Sequence, residues 1–458
     1  MRFSSNSSEK FQVLAIMFEL FIALSILGLS MIINQTTKMV IGQIEQIDIT
    51  VARTNQIIRY MEVRLSQLRP TELAALAQAN KYDDAQLGIL LALESVSAST
   101  RFNAAPTEIS INTLYETVWH IGGYPLIGHN GWVRAVAVSP NNRIAASAGN
   151  DATIHIWQLD DLAAPAIILS GSQDILRAIS FSPDGDLLAA AGNHQNILIW
   201  DTQDWTLLPK LLFGHTDVIN DLSFSPDGKN LASASDDQSV RVWDLNITAA
   251  PPIVLDVHDR GVSSVSFSPD GFFLASASSD GTLQLWQADD LTMPPTILQA
   301  TRSPINQFSF SPDSNWLASI GDEPDALLWD LHNLSALPIP LEGHGKAIKS
   351  LAFSPDGNIL ASGGSDDTIR LWDLSERSSL PQVIAEIGSS IWGLAFSPDG
   401  NLLLSGGFDG IVRVWPLGLV HLESFACKLS GRNFTPQEWR TYFPGEEYRL
   451  TCPSQLTN

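Results

Sequence analysis

Residues 214–243 read GHTDVINDLSFSPDGKNLASASDDQSVRVW, and the segment divides into short strands and turns. The apolar run that ends at Phe224 gives way to Ser225-Pro226-Asp227-Gly228. This is a turn, because Pro fixes φ and Gly permits the positive φ that closes a hairpin. Val240-Arg241-Val242-Trp243 then alternates apolar and polar with a period of two, as a half-buried strand does. The closing tryptophan recurs: Trp157, Trp200, Trp243, Trp286, Trp329, Trp372 and Trp415 follow one another at intervals of 43 residues without insertion or deletion. A period in the forties with four short strands per unit is the sequence sign of a β-propeller, here with seven blades. Proline-rich links such as Ala250-Pro251-Pro252 and Met293-Pro294-Pro295 precede each outer strand, where a missing N–H costs least.

The same units carry Gly-His pairs at Gly128-His129, Gly214-His215 and Gly343-His344, with Val257-His258 in register. Trp-Asp pairs stand at Trp200-Asp201, Trp243-Asp244, Trp329-Asp330 and Trp372-Asp373. On these residues the segment 118–417, two thirds of the chain, resembles the WD-repeat propeller family. The resemblance implies a hydrogen-bonded tetrad of His, Ser, Asp and Trp within a blade. Complete sets are His129, Ser147, Asp151, Trp157; His215, Ser233, Asp237, Trp243; His258, Ser276, Asp280, Trp286; and His344, Ser362, Asp366, Trp372. Three blades depart from the pattern: the second has Ser172, Ala190 and His194, the fifth Thr301 and Glu323, and the seventh Ile387. These blades are expected to open locally more readily. The first repeat begins before His129 and the last stops at Trp415, so the strand ahead of His129 should complete the final blade and close the ring.

Outside the repeats, residues 1–10 form a short tail and 11–33 an almost unbroken apolar run. As a helix that run is about 35 Å long, enough to cross a ~30 Å hydrocarbon core. Its length and the lack of a small-x-small site favour an uncleaved signal anchor over a secretory leader. Glu19, its one charge, reads as a tolerated off-centre acid rather than a proton relay. Arg2 and Lys10 lie before the span and Lys38 alone follows closely, which places the N-terminus in the cytoplasm and the propeller outside a single-pass cell-membrane protein.

Residues 38–69 read as a juxtamembrane helix. Val40, Ile44, Ile47, Val51, Thr54, Ile58, Met61, Leu65 and Leu68 fall on an a/d seam of about four heptads. Two readings stay open: a coiled coil making a homodimer or trimer, or a helix folded back on its neighbours. Pro70 ends this helix, and a helical linker over 71–117 follows, with helices at 71–79 and 83–96 and another from Thr107. The linker and the 418–458 appendage resemble the corresponding portions of large bacterial WD-repeat signalling proteins, without their NTPase. Thr435-Pro436-Gln437-Glu438 is a capping box. Cys427 and Cys452 are either a disulfide that staples the appendage on an oxidising side, or two reduced, buried thiols.

Composition narrows the function. With 26 Lys+Arg against 49 Asp+Glu, the net charge is −23, which speaks against a broad nucleic-acid footprint. Two cysteines exclude a disulfide-framework protein and a multi-cysteine metal module. No phosphate loop, HExxH, GxSxG, CxxC or calcium-loop pattern occurs, so neither a catalytic nor a metal centre is predicted and no cofactor is implied. Four of nine histidines belong to the tetrads, and His120, His155, His194, His332 and His421 occupy unrelated repeat positions.

The resemblance implies instead a partner-binding rim, three and five places after the tetrad His and one before the tetrad Asp. The +5 set is Arg134, Arg177, Asn220, Ser263, Asn306, Lys349 and Trp392. Four neighbouring blades thereby gather Trp132, Arg134, Arg177, Lys349, Trp392 and Phe408, residue types enriched at binding hot spots. The plain alternative is that these side chains stack on each other and fill the channel mouth. The expected protein is a membrane-anchored scaffold or receptor for protein partners. The second reading is an enzyme or small-ligand binder using the central channel.

Overall fold

A computed structural model describes residues 69–453, apart from 102–103, 173, 248–249, 257, 300–302, 376–379 and 385–387. The apolar run 11–33, the heptad segment 40–68, Thr301 and Ile387 lie outside the described residues. No helix among the described residues is long and apolar enough to cross a membrane. The chain divides into two units, one holding the described residues 69–76 and 91–112 and the other 77–90 and 113–453.

Among the described residues twenty-eight strands form seven four-stranded antiparallel sheets, so the propeller has seven blades. Six blades run in simple sequence, from β2-β3-β4-β5 (Val133–Leu169) to β22-β23-β24-β25 (Ile348–Ile384). The seventh joins the first strand, β1 (Tyr124–Ile127), to β28 (Ile411–Pro416), β27 (Leu402–Gly407) and β26 (Ile391–Phe396), in that order. In it β1 pairs with β28, Tyr124 opposite Val414 and Ile127 opposite Ile411. This is the closure that the phase of the repeat requires.

Each inner hairpin is built by a Ser-Pro turn, Ser-Pro-Asp-Gly in five of the seven blades. In the third blade the Ser225 hydroxyl donates to Asp227 at 2.7 Å and accepts from the Asn230 N–H at 2.9 Å, while Gly228 takes φ 69°. Where the sequence offers no glycine, Asn142 and Ser314 adopt the same left-handed conformation, with φ of 59° and 58°.

The core lies between blades rather than within them. Ala146, Ala148, Ile154 and Ile156 of the first blade pack against Leu176, Ile179, Phe181, Leu188 and Trp200 of the second. Small residues on one face receive large ones from the next, and each fully buried Leu, Ile or Phe contributes about 1.5–3 kcal/mol. The second strand of each blade is consequently buried on both faces, as in β11 (Asn230–Ser235), while outer strands such as β9 (Lys210–Phe213) are largely exposed. Polar groups also cross between blades. Asp221 accepts from the Ser264 hydroxyl at 2.7 Å and the Val265 N–H at 3.1 Å, and burial pushes its carboxyl up to about 6.

The helical linker departs from its expected boundaries. Helix α1 covers 69–80 and so takes in Pro70, which was expected to end the preceding helix. Helix α2 (Ala85–Arg101) is capped by Asp84, whose carboxylate accepts from the Leu87 N–H at 2.9 Å, and it runs five residues past the expected end at 96. The extension coincides with the ion pair between Arg101 and the buried Glu94. Helix α3 (Glu108–His120) continues three residues beyond 117, and the positive-φ pair Gly122-Gly123 turns the chain into β1. The Tyr115 hydroxyl donates to the Leu417 carbonyl.

In the appendage, α4 (Leu419–Ser430) stops at Gly431, which has φ 62°. Helix α5 (Pro436–Tyr442) carries the expected capping box on Thr435 and Glu438. Cys427 and Cys452 are joined as a disulfide, with Cα atoms 5.4 Å apart.

Candidate functional site

The tetrads are hydrogen-bonded chains. In the third blade the Trp243 indole N–H donates to Ser233 Oγ at 2.9 Å, Ser233 lies 2.7 Å from His215 Nε2, and His215 Nδ1 lies 2.8 Å from Asp237. The first and sixth blades repeat this chain through Trp157, Ser147, His129, Asp151 and Trp372, Ser362, His344, Asp366. In the fourth, His258 holds Ser276 at 2.6 Å and Asp280 at 3.0 Å, with Trp286 edge-on to the imidazole. The departing blades keep less. Trp329 and Trp415 still donate to Ser319 and Ser405, whereas Ala190 gives Trp200 no hydroxyl. The tetrad aspartates are partly buried, which would raise their pKa. Backbone N–H groups and the histidines outweigh that and hold Asp151, Asp280 and Asp366 below the usual carboxylate range.

The rim owes its geometry to a bulge that recurs in every blade. On each inner strand the pairing register skips one residue, between Val133 and Ala135 in the first blade and between Ile391 and Gly393 in the seventh. The skipped residue is the +5 residue, so Arg134, Arg177, Asn220, Ser263, Asn306, Lys349 and Trp392 leave the ladder. A bulge re-aims its side chain and ends regular pairing, as at many binding edges.

From there the side chains divide the rim in two. In the third to fifth blades Asn220 donates to Asp236 at 2.7 Å, Ser263 to the Ala277 carbonyl at 3.0 Å, and Asn306 to Asp322 at 3.0 Å. In the sixth, seventh, first and second blades the cations and aromatics come together. Trp132 stacks on Trp392 with ring centroids 6.2 Å apart and meets Phe408 at 4.1 Å. The Arg134 guanidinium lies 5.3 Å from the Trp132 ring and 5.0 Å from Trp392, and Lys349 Nζ lies 5.7 Å from Trp392.

Arg134 Nε also donates to Asn150 at 2.6 Å, and Arg177 to Asn193 at 2.9 Å and Asn220 at 3.3 Å. Burial and the neighbouring positive charge of Arg177 lower the pKa of Arg134. Among the described residues none of Arg134, Arg177 and Lys349 forms an ion pair with a carboxylate. The structure thus brings five of the six expected rim residues into one aromatic–cationic cluster, with Arg177 tied to the flanking asparagines. Phe408 stays 49% exposed.

The family model "WD domain, G-beta repeat" matches residues 123–158, 164–201, 206–244, 250–287, 293–330, 337–373 and 382–416. The chain belongs to the WD40-repeat family. Its helical linker and appendage lie outside those matches. Over 66 residues it is 41% identical to nuclear distribution protein PAC1 of Meyerozyma guilliermondii, a stretch that makes up 14% of this chain and 12% of that protein. The solved WD40 β-propeller domain of Doa1 is similar in fold, with a TM-score of 0.58 at 23% identity over 65% of this chain and 97% of that one.

In this WD40 propeller, a depression among the inner strands is lined by Val136, Ile179, Phe181, Phe224 and Phe396, with Ser180, Ser182 and Ser223 as its polar side chains. Its lining holds no acid, imidazole or amine, so it offers no acid–base pair for chemistry.

One grouping escaped the sequence reading. His155 lies beside the first tetrad, its ring 4.0 Å from that of His129, and His129, Asp151 and His155 each offer an atom within 4.8 Å of the others. The signal was present in the repeat. His155 stands two residues before its tryptophan, where other blades carry Arg241, Gln284, Arg370 and Arg413.

Proposed function

We propose that the propeller is a protein-interaction scaffold whose partner docks an acidic, apolar segment on the rim formed by Trp132, Arg134, Arg177, Lys349, Trp392 and Phe408. One observation carries the reading. On a chain of net charge −23, two rim cations, Arg134 and Lys349, lie against stacked tryptophans with Arg177 beside them on the asparagines, and among the described residues none of the three pairs with a carboxylate. A half-buried guanidinium without a counter-charge is better satisfied by an incoming carboxylate than by water, and exposed aromatic area beside it supplies the apolar part of a hot spot. The apolar run 11–33 would anchor this scaffold in the cell membrane with the propeller outside, and residues 40–68 would space or oligomerise it; its sequence supports that reading. Protease accessibility of the propeller in intact against lysed cells tests the orientation.

The rim is tested by capture with the full chain and with Trp392→Ala plus Arg134→Ala. The expected partner is retained by wild type, released as salt rises, and lost from the double variant, whose melting transition stays cooperative. A hot-spot pair of this kind is worth at least about 2 kcal/mol, or some 30-fold in affinity. Equal capture by both proteins would refute the assignment.

A further inference from the structure

We infer that the first blade binds one divalent d-block cation of the zinc class through His129, Asp151 and His155. The three side chains are the two-imidazole, one-carboxylate set that such cations prefer, and their ligand atoms already lie within 4.8 Å of one another.

His155 supplies a second, independent reason. It is only 2% exposed, and its Nδ1 is buried with no hydrogen-bond partner. An imidazole shut away from water normally satisfies its nitrogens, so an unpartnered one calls for an explanation such as a bound ion, and imidazole nitrogen is the commonest metal ligand.

Among the described residues the sister blades carry other groups at this strand position. In the sixth and seventh, Arg370 and Arg413 bring a guanidinium within 4.0 Å and 2.6 Å of Asp366 and Asp409. In the first blade the residue at that strand position is His155, so Asp151 lacks the guanidinium that Asp366 and Asp409 have; the fourth blade, with Gln284 there, also lacks one but offers no second imidazole. A bound metal ion restores the missing positive charge.

The movement asked of His129 and Asp151 is small. His129 Nδ1 and the Asp151 oxygens are 2.9 and 3.1 Å apart. Tetrahedral ligands at about 2.1 Å from zinc are about 3.4 Å apart, so the pair opens by a few tenths of an ångström. His155 has farther to come: the three ligand atoms span up to 4.8 Å, so its ring must draw in by up to about 1.4 Å to reach the ~3.4 Å spacing of a tetrahedral site. The proton of His129 moves from Nδ1 to Nε2, which then donates to Ser147 Oγ, so no proton is released. Ser147, already 2.8 Å from Nε2 and fixed by the Trp157 N–H, orients the ring from behind as outer partners of metal-bound histidines do.

The test uses the purified full chain, stripped with chelator and titrated with Co²⁺ and then Zn²⁺. One equivalent of Co²⁺ is expected to give visible bands of a tetrahedral site, which Zn²⁺ bleaches. His155→Arg and His155→Gln install residues that other blades already hold at this position, so folding is retained. Loss of an outer partner alone weakens metal binding by about 10–100-fold, so loss of this ligand is expected to cost at least about tenfold. His332→Ala, at an exposed histidine, leaves binding unchanged. Absence of a one-equivalent site in wild type, or equal affinity in both His155 variants, overturns the inference.

Discussion

Ser233→Ala in the third blade removes one hydroxyl that holds two ring nitrogens. Ser233 is fully buried, accepts from the Trp243 N–H at 2.9 Å and lies 2.7 Å from His215 Nε2. Both nitrogens are enclosed by the blade, so the substitution strands a donor and an acceptor at about 1–3 kcal/mol each. Part of this is recovered by relaxation, and a net loss of about 2–4 kcal/mol is expected. At a tenfold change per ~1.4 kcal/mol, amide protection in β11 and in β12 (Ser239–Asp244) should fall between about 30-fold and several hundredfold. The second blade provides the internal control, since Ala190 and Trp200 already lack this hydroxyl. Hydrogen exchange resolved by blade is the assay. In a Trp243→Phe background the same serine change should cost about 1 kcal/mol less, because one stranded group is already gone. A loss below about 1 kcal/mol, with no coupling to Trp243, would refute the idea that the tetrads bear on stability.

Two further outcomes follow from the structure. Acid should destabilise the propeller in two stages. Burial lowers the pKa of His129, His258 and His344, and of His155 to about 4, so the unfolded chain takes up protons first and stability falls from about pH 6.5 downward. The depressed aspartates Asp151, Asp280 and Asp366 then give up their contribution below about pH 4. Asp221, raised to about 6 by burial, works in the opposite sense between about pH 4 and 6 but is a single group. A melting temperature that holds level from pH 7 to 4 would contradict this balance. Separately, the Cys427–Cys452 bond closes a loop with a sequence separation of 25, worth about 3–4 kcal/mol on chain-entropy grounds. Reduction should lower amide protection in α4 and α5 while leaving β26 (Ile391–Phe396) unchanged; unaltered protection in the appendage would show that its packing alone suffices.

The propeller was legible because its signal is repeated seven times: the 43-residue spacing of Trp157 to Trp415, the turn at Ser225 to Gly228, and the phase that sends the strand before His129 to the last blade. The tetrads were legible for the same reason. The rim was readable as a list of positions but not as an arrangement. Whether Trp132 meets Trp392 or Phe408 depends on the distance between blades, which no strand pattern encodes. The bulge that frees the +5 residues adds no residue to the period, and therefore leaves no trace in the spacing. His155 was overlooked because histidines were compared with the tetrad position alone; its proximity to Asp151 comes from pairing across β3 (Ile144–Gly149) and β4 (Ile154–Gln158), where Ser147 faces His155. The second linker helix runs past its expected end, where Arg101 pairs with the buried Glu94 on the same helix face, a contact that apolar periodicity does not signal.

The pairing of β1 with β28 also sets a clock. Ile127 is made 284 residues before its partner Ile411. At about 5–20 residues per second of synthesis, the first strand waits on the order of 15–60 s before its mate leaves the ribosome. Through that interval a four-residue strand with two isoleucine- or leucine-type side chains is available to any other edge that passes. Pro125, which stands opposite Arg413 in the finished ring, has no N–H to offer such an intruder. The residue that looks least suited to a closing strand thus guards it while the rest of the ring is still being translated.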